Sequence, residues 1–153
     1  MNRLVRNVLS ALLLGASLVA VGMPAANASY PNCISAALAV NVYGRADGPK
    51  ALPPAVNGST NTLCVMGTWM SASYNPGVVA LQRALNACYT QGLTVDGYFG
   101  SKTQAALKRV QSAVGTTADG VYGPKTKAAM YWPMYNDGRA YGCDPGSVLN
   151  DAG

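Results

Sequence analysis

The sequence contains no histidine, and all six of its acidic residues are aspartates, so glutamate is absent as well. Without histidine, neither a Ser-His-Asp nor a Cys-His catalytic arrangement can be assembled, and the usual nitrogen ligands of zinc peptidases are missing. Without glutamate, the usual general acid of glycoside hydrolysis is missing too. We therefore expect no enzyme activity, no metal site and no cofactor.

Long apolar runs are lacking beyond residues 1–28, which have the pattern of a secretory signal peptide. Arg3 and Arg6 give a positive start, residues 8–21 are apolar, and residues 26–28 (Ala-Asn-Ala) form a small-residue cleavage site. A transmembrane anchor is the alternative, but the run is short and interrupted by serine and glycine. We expect a secreted protein, with no stable membrane insertion after signal cleavage.

Charge and cysteine are both sparse. The net charge is +5, and no cluster of lysine and arginine is present, so no nucleic-acid partner is expected. The four cysteines are Cys33, Cys64, Cys88 and Cys143, with no Cys-x-x-Cys pair. In an exported chain this even number favours two disulfides, each stabilising the fold by about 2–4 kcal/mol. Three pairings are open, and we favour Cys33–Cys64 with Cys88–Cys143.

What the sequence does contain is an internal repeat. Residues 94–103, Thr-Val-Asp-Gly-Tyr-Phe-Gly-Ser-Lys-Thr, recur 23 positions later at 117–126 as Thr-Ala-Asp-Gly-Val-Tyr-Gly-Pro-Lys-Thr. Asp-Gly favours a turn, because aspartate bonds its own downstream backbone and glycine adopts positive φ freely. Gly100 and Gly123 suit helix N-caps, and Pro124 suits a first helical position. Each copy therefore predicts a tight turn that opens a helix.

Apolar residues at helical spacing predict three short helices joined by these turns. Asn75-Pro76 would begin the first helix, Gly92 and Gly115 would end the first two, and Pro133 would end the third. The predicted core-facing stripes are Val78, Leu81, Leu85 and Cys88; Thr103, Leu107, Val110 and Val114; and Thr126, Ala129 and Met130. The fold class is mainly α: a small three-helix bundle with two Asp-Gly turn-helix repeats and disulfide-tethered N- and C-terminal extensions.

The ordered motifs resemble the peptidoglycan-binding domain of the three-helix type, found on bacterial cell-wall hydrolases and on small secreted actinobacterial proteins. The motifs are, in chain order, Leu81-Gln82, Asp96-Gly-x-Phe-Gly, Thr103, Val110-Gln111, Asp119-Gly-x-Tyr-Gly and Thr126. The resemblance covers residues 64–135. It implies a monomer that binds peptidoglycan without catalysis, outside the cell or associated with the cell wall.

Peptidoglycan presents sugar rings, amide groups and carboxylates, so a site for it needs aromatic faces, polar groups and a cation. The turn-helix junctions concentrate such side chains, and we expect a binding groove beside them. The predicted ligand-binding residues are Asp96, Tyr98, Ser101, Lys102, Thr103, Gln104, Asp119, Tyr122, Lys125 and Thr126.

Some of these residues also have a structural interpretation. Phe99 and Tyr122 occupy equivalent positions and are favoured as core side chains over platforms for a sugar ring. Thr103 and Thr126 are favoured as packing or capping groups. Gln82 and Gln111 are expected to link the helices to one another by hydrogen bonds.

We divide the chain into a signal peptide (1–28), an N-terminal extension (29–62), the peptidoglycan-binding-like domain (63–135) and a C-terminal tail (136–153). Within the extension, residues 34–42 would form a short helix or a strand, and residues 45–62 a loop or linker. The tail would be held by Cys143 alone. A second function class stays open, in which the extensions serve a protein-interaction or inhibitor module acting on another cell-wall protein.

Overall fold

The computed structural model describes residues 30–36, 40–41, 50–51, 53–56, 61–136 and 139–146. The predicted signal peptide lies outside these residues. Within the part of the chain that is described, no helix has the length and apolar character needed to cross a bilayer.

Three α-helices are present among the described residues, as the sequence predicts: α1 (Pro76–Tyr89), α2 (Ser101–Ala113) and α3 (Pro124–Ala129). Asn75 caps α1, because its side-chain oxygen accepts from the backbone N–H groups of Gly77 at 2.7 Å and Val78 at 3.4 Å. Every residue of the three predicted stripes is buried or half-buried, so each helix turns the expected face to the core.

The two Asp-Gly turns also form as predicted. Gly97 and Gly120 have φ of 76° and 74°, a region that favours glycine, and Gly100 and Gly123 are the N-caps of α2 and α3. Gly115, with φ of 75°, follows the end of α2. The end of α1 differs from the prediction: Thr90 already takes the left-handed conformation, with φ of 51°, two residues before Gly92.

Six short strands complete the fold, and they correct the mainly-α expectation. They are β1 (Ser35–Ala36), β2 (Val40–Asn41), β3 (Lys50–Ala51), β4 (Pro54–Ala55), β5 (Tyr131–Asn136) and β6 (Arg139–Pro145). One antiparallel sheet joins β1 to β4, and a second has the order β2-β3-β5-β6. The described residues are therefore three helices with small antiparallel hairpins. In the N-terminal extension, β1 and β2 lie in the segment predicted as a short helix or a strand, and β3 and β4 lie where a loop or linker was expected.

The third helix is shorter than predicted, and residues 139–145 of the C-terminal tail form a strand. α3 ends at Ala129, because Met130 is already extended with ψ of 156°, and Pro133 lies inside β5 instead of ending a helix. β5 pairs with β6 along its whole length. β5 directly follows α3, and β6 begins three residues after β5 ends, so this pairing is local; a search for helical spacing does not reveal it, because strands alternate with a period of two.

Two disulfides fasten these extensions, in the pairing that we favoured. Cys33–Cys64 joins the N-terminal strand region to the approach to the bundle, and Cys88–Cys143 joins the end of α1 to β6. Nearby, the N–H of Tyr131 donates to the Tyr89 hydroxyl at 2.6 Å, and burial raises the pKa of Tyr89. Strands β1, β4, β5 and β6 all contact α1, so the extensions pack around the first helix.

Candidate ligand-binding site at the turn-helix junctions

A buried glutamine organises the first turn-helix junction. Gln82, on α1, is 1% exposed, and its Nε2 lies within hydrogen-bonding distance of Asp96 Oδ1 (2.8 Å), the Tyr98 carbonyl (3.1 Å) and Thr103 Oγ1 (3.1 Å). Its Oε1 accepts from the N–H groups of Asp96 and Gly97. One side chain of α1 thus fixes both the turn and the first residues of α2.

The second junction repeats this arrangement with Gln111, on α2. Its Nε2 lies 2.9 Å from Asp119 Oδ1, 2.9 Å from the Val121 carbonyl and 3.1 Å from Thr126 Oγ1. Its Oε1 accepts from the N–H of Gly120 at 2.8 Å. The expectation that the two glutamines tie the helices together is confirmed, and each does so through the turn that precedes the next helix.

A surface pocket lies beside each junction. The first junction pocket has a volume of about 300 Å³ and the second about 430 Å³. Four pairs of identical lining residues are related by the 23-residue repeat: Thr94 and Thr117, Asp96 and Asp119, Lys102 and Lys125, Thr103 and Thr126. Tyr98 and Ser101 also line the first pocket. The two pockets are therefore built in the same way, except that the aromatic ring of Tyr98 is present only in the first.

Each pocket combines an exposed aspartate with an exposed lysine. Asp96 Oδ1 accepts from Gln82 Nε2 and from the N–H of Tyr98, and these two hydrogen bonds lower the pKa of Asp96. In the same way, Asp119 Oδ1 accepts from Gln111 Nε2 and from the N–H of Val121. These bonds fix the orientation of each carboxylate through one oxygen.

The structure sorts the predicted ligand-binding residues into three groups. Asp96, Tyr98, Ser101, Lys102, Asp119 and Lys125 are exposed and line the two pockets. Thr103 and Thr126 also line them but are nearly buried, and their hydroxyls donate to the Tyr98 and Val121 carbonyls, so they serve mainly to position the turns. Gln104 lines neither pocket and lies next to Gly120 of the second turn.

Tyr122 must be removed from the ligand-binding set. It is fully buried and packs edge-to-face on Trp132, with ring centroids 5.9 Å apart. Phe99, at the equivalent position of the first repeat, is fully buried as well. The aromatic residue of each Asp-Gly-x-aromatic-Gly turn is a core side chain, because the turn directs it between the helices and away from the pocket.

Residues of the extensions do not cover the pockets within the described part of the chain. Both pockets are lined only by residues between Gln82 and Thr126. The extensions pack on α1 and create a separate cleft there, with Tyr74 and Arg83 among its residues. Sequence reasoning missed both side chains, because nothing in the local pattern distinguishes an exposed tyrosine or arginine beside a cleft from one on an ordinary surface.

Comparison with known families places these junctions in context. Residues 74–130 match the model of the family described as putative peptidoglycan binding domain. The matched segment begins just before α1 and ends just after α3, so it contains both junction pockets, while β5 and β6 lie outside it. Neither the curated proteins nor the solved structures give a significant match to this chain.

Proposed function

We propose that this protein is exported and binds peptidoglycan, without cleaving it, through the two junction pockets, because residues 74–130 match the model of a family described as putative peptidoglycan binding domain. The observation that carries the proposal is the family match, which coincides with the duplicated turn-helix unit. The two disulfides support an oxidising location outside the cytoplasm.

The chemistry of the pockets suits this polymer. Lys102 and Lys125 provide cations for the carboxylates of the peptide chains, and charge-assisted bonds of this kind are stronger than neutral ones. The outer oxygens of Asp96 and Asp119 accept from sugar hydroxyls and peptide amides. Tyr98, 43% exposed, offers a ring face to a sugar in the first pocket. Two similar sites on one rigid domain suit a ligand that repeats along a strand.

Co-sedimentation with purified cell-wall sacculi tests the proposal. The oxidised, exported protein is expected to pellet with sacculi, and the double variant Lys102→Gln with Lys125→Gln to pellet several-fold less. The matched control is Lys108→Gln with Arg109→Gln, which removes the same two charges from exposed positions on α2 outside both junction pockets and should bind like the parent. Failure of the parent protein to pellet, or equal binding by the double variant, would overturn the assignment of the site.

The absence of cleavage is tested in the same samples. Sacculi incubated with the protein should keep their turbidity and release no soluble fragments. Release of fragments that stops in Asp96→Asn, with the fold intact, would instead identify an enzyme that uses aspartate chemistry.

A further inference from the structure

A cavity distinct from both junction pockets lies on the other side of Tyr74 from the first of them. This cleft, which we name the α1 cleft, has a volume of about 220 Å³ and lies between α1 and the strands β1 and β5. Residues lining it include Ala36, Tyr74, Val79, Arg83, Pro133 and Tyr135. Since Ala36, Pro133 and Tyr135 lie outside residues 74–130, the cleft depends on residues on both sides of the segment that matches the family model.

The walls of the α1 cleft have a distinct chemistry. Small aliphatic side chains form its floor, where Ala80 and Pro133 are buried and Val79 is half-buried. The cation at its edge is Arg83, which is exposed on α1. A guanidinium beside methyl-sized apolar surface is complementary to a carboxylate that carries small apolar groups.

A pair of tyrosine rings lies between the cleft and the first junction pocket. Tyr74 lines the cleft and Tyr98 lines the pocket, and their rings meet edge-to-face with centroids 6.4 Å apart. Tyr74 is held in place although it is 62% exposed, because its ring packs on Gly97, where an added Cβ would lie only 2.6 Å from the ring carbons. The N–H of Asn75 also donates to the Gly97 carbonyl at 2.9 Å. The two tyrosines therefore form a fixed bridge between the two cavities.

We propose that the α1 cleft binds the free carboxylate end of a short peptide with methyl-sized side chains, and that Arg83 pairs with the carboxylate. The inference rests on the proposed function, because such peptides branch from the glycan strand of peptidoglycan. A ligand held at the first junction pocket extends past Tyr98 and Tyr74, and its peptide end enters the cleft.

Titration of the oxidised, isotope-labelled protein with N-acetyl-D-alanyl-D-alanine, followed by backbone amide NMR, tests the proposal. Signals of Val79, Arg83 and Tyr135 are expected to shift with this acid. The same peptide with a C-terminal amide should bind about fivefold more weakly, because it lacks the charged partner of the guanidinium. In Arg83→Gln the preference for the acid over the amide should disappear.

Arg109→Gln is the matched control, since it removes the same charge from an exposed position on α2 and should keep the preference for the acid. Equal binding of acid and amide, an acid preference that survives in Arg83→Gln, or shifts of the cleft signals by N-acetylglucosamine instead of the peptide would each overturn the proposal. The sacculus assay distinguishes failure of the cleft assignment from failure of the proposed function. If the parent protein pellets with sacculi but the peptide does not shift the cleft signals, the cleft assignment fails and the proposed function survives.

Discussion

Replacing Gln82 with leucine should destabilise the fold although leucine is apolar and similar in size. Gln82 is 1% exposed and sits among five polar partner atoms, which belong to the first turn and to the start of α2. Leucine would satisfy none of them. The buried N–H of Gly97 would lose its acceptor, and the Asp96 carboxylate would lose its side-chain donor.

The expected loss follows from the hydrogen bonds. Each net hydrogen bond contributes about 1 kcal/mol, and a buried donor left without a partner costs about 1–3 kcal/mol. Because the amide of Gln82 has two protons for three acceptors, some of its bonds are shared. After the added apolar burial of leucine is subtracted, we expect Gln82→Leu to lower the free energy of unfolding by about 3 kcal/mol. Gln111→Leu should lower it by about 2 kcal/mol, since Gln111 Oε1 accepts from one N–H where Gln82 Oε1 accepts from two.

Urea denaturation with both disulfides intact measures these losses, provided that the dependence of the unfolding free energy on urea stays parallel among variants. Gln104→Leu is the control, because it makes the same chemical change at a half-buried helical position that lines neither junction pocket. If Gln82→Leu unfolds at the same urea concentration as Gln104→Leu, the glutamine does not organise the junction.

Three further outcomes follow from the same geometry. Gly97→Ala should destabilise the fold by about 2–3 kcal/mol in thermal denaturation, because the new Cβ clashes with the Tyr74 ring and because alanine is strained at positive φ. Gly92→Ala, at φ of 64° but with open space around it, should destabilise the fold by only about 1 kcal/mol. The double variant Cys88→Ser with Cys143→Ser should lower the free energy of unfolding by about 2–4 kcal/mol and speed amide hydrogen exchange in the β5–β6 hairpin. The lowered pKa of Asp96 stabilises the fold at pH above its ordinary value of 3.8, and this contribution is lost as pH falls through the lower folded value. The stability difference between the parent and Asp96→Asn should therefore shrink in acid titrations.

Local features were readable from the sequence because their causes are local. The Asp-Gly pairs, the capping Asn75 and the apolar stripes each depend on residues a few positions apart, and the turns and the three helix starts agree with them. The repeat offset also identified the lysines and aspartates that line both pockets. The disulfide pairing was favoured among three alternatives, and the structure selects it.

Other features depend on partners far along the chain. Residues 131–136 pair with β3, which lies about 80 residues earlier, and nothing within them encodes that neighbour. Their other partner, β6, is close in sequence, and Asp137-Gly138 between the two strands is a hairpin signal that sequence reasoning missed. The repeat position favoured Tyr122 as a core side chain, and its burial confirms this, but the partner against which it packs, Trp132, is visible only in the tertiary structure. The α1 cleft likewise exists because the extensions fold back on α1.

The sequence by itself determined the duplicated turn-helix unit, since turn and cap preferences act over a few residues. Tertiary structure alone decided where the extensions pack, which aromatic side chains stay exposed, and that a second cavity adjoins the first pocket. Those outcomes depend on strand pairing and burial between segments tens of residues apart, and a strand takes its partner from the whole fold.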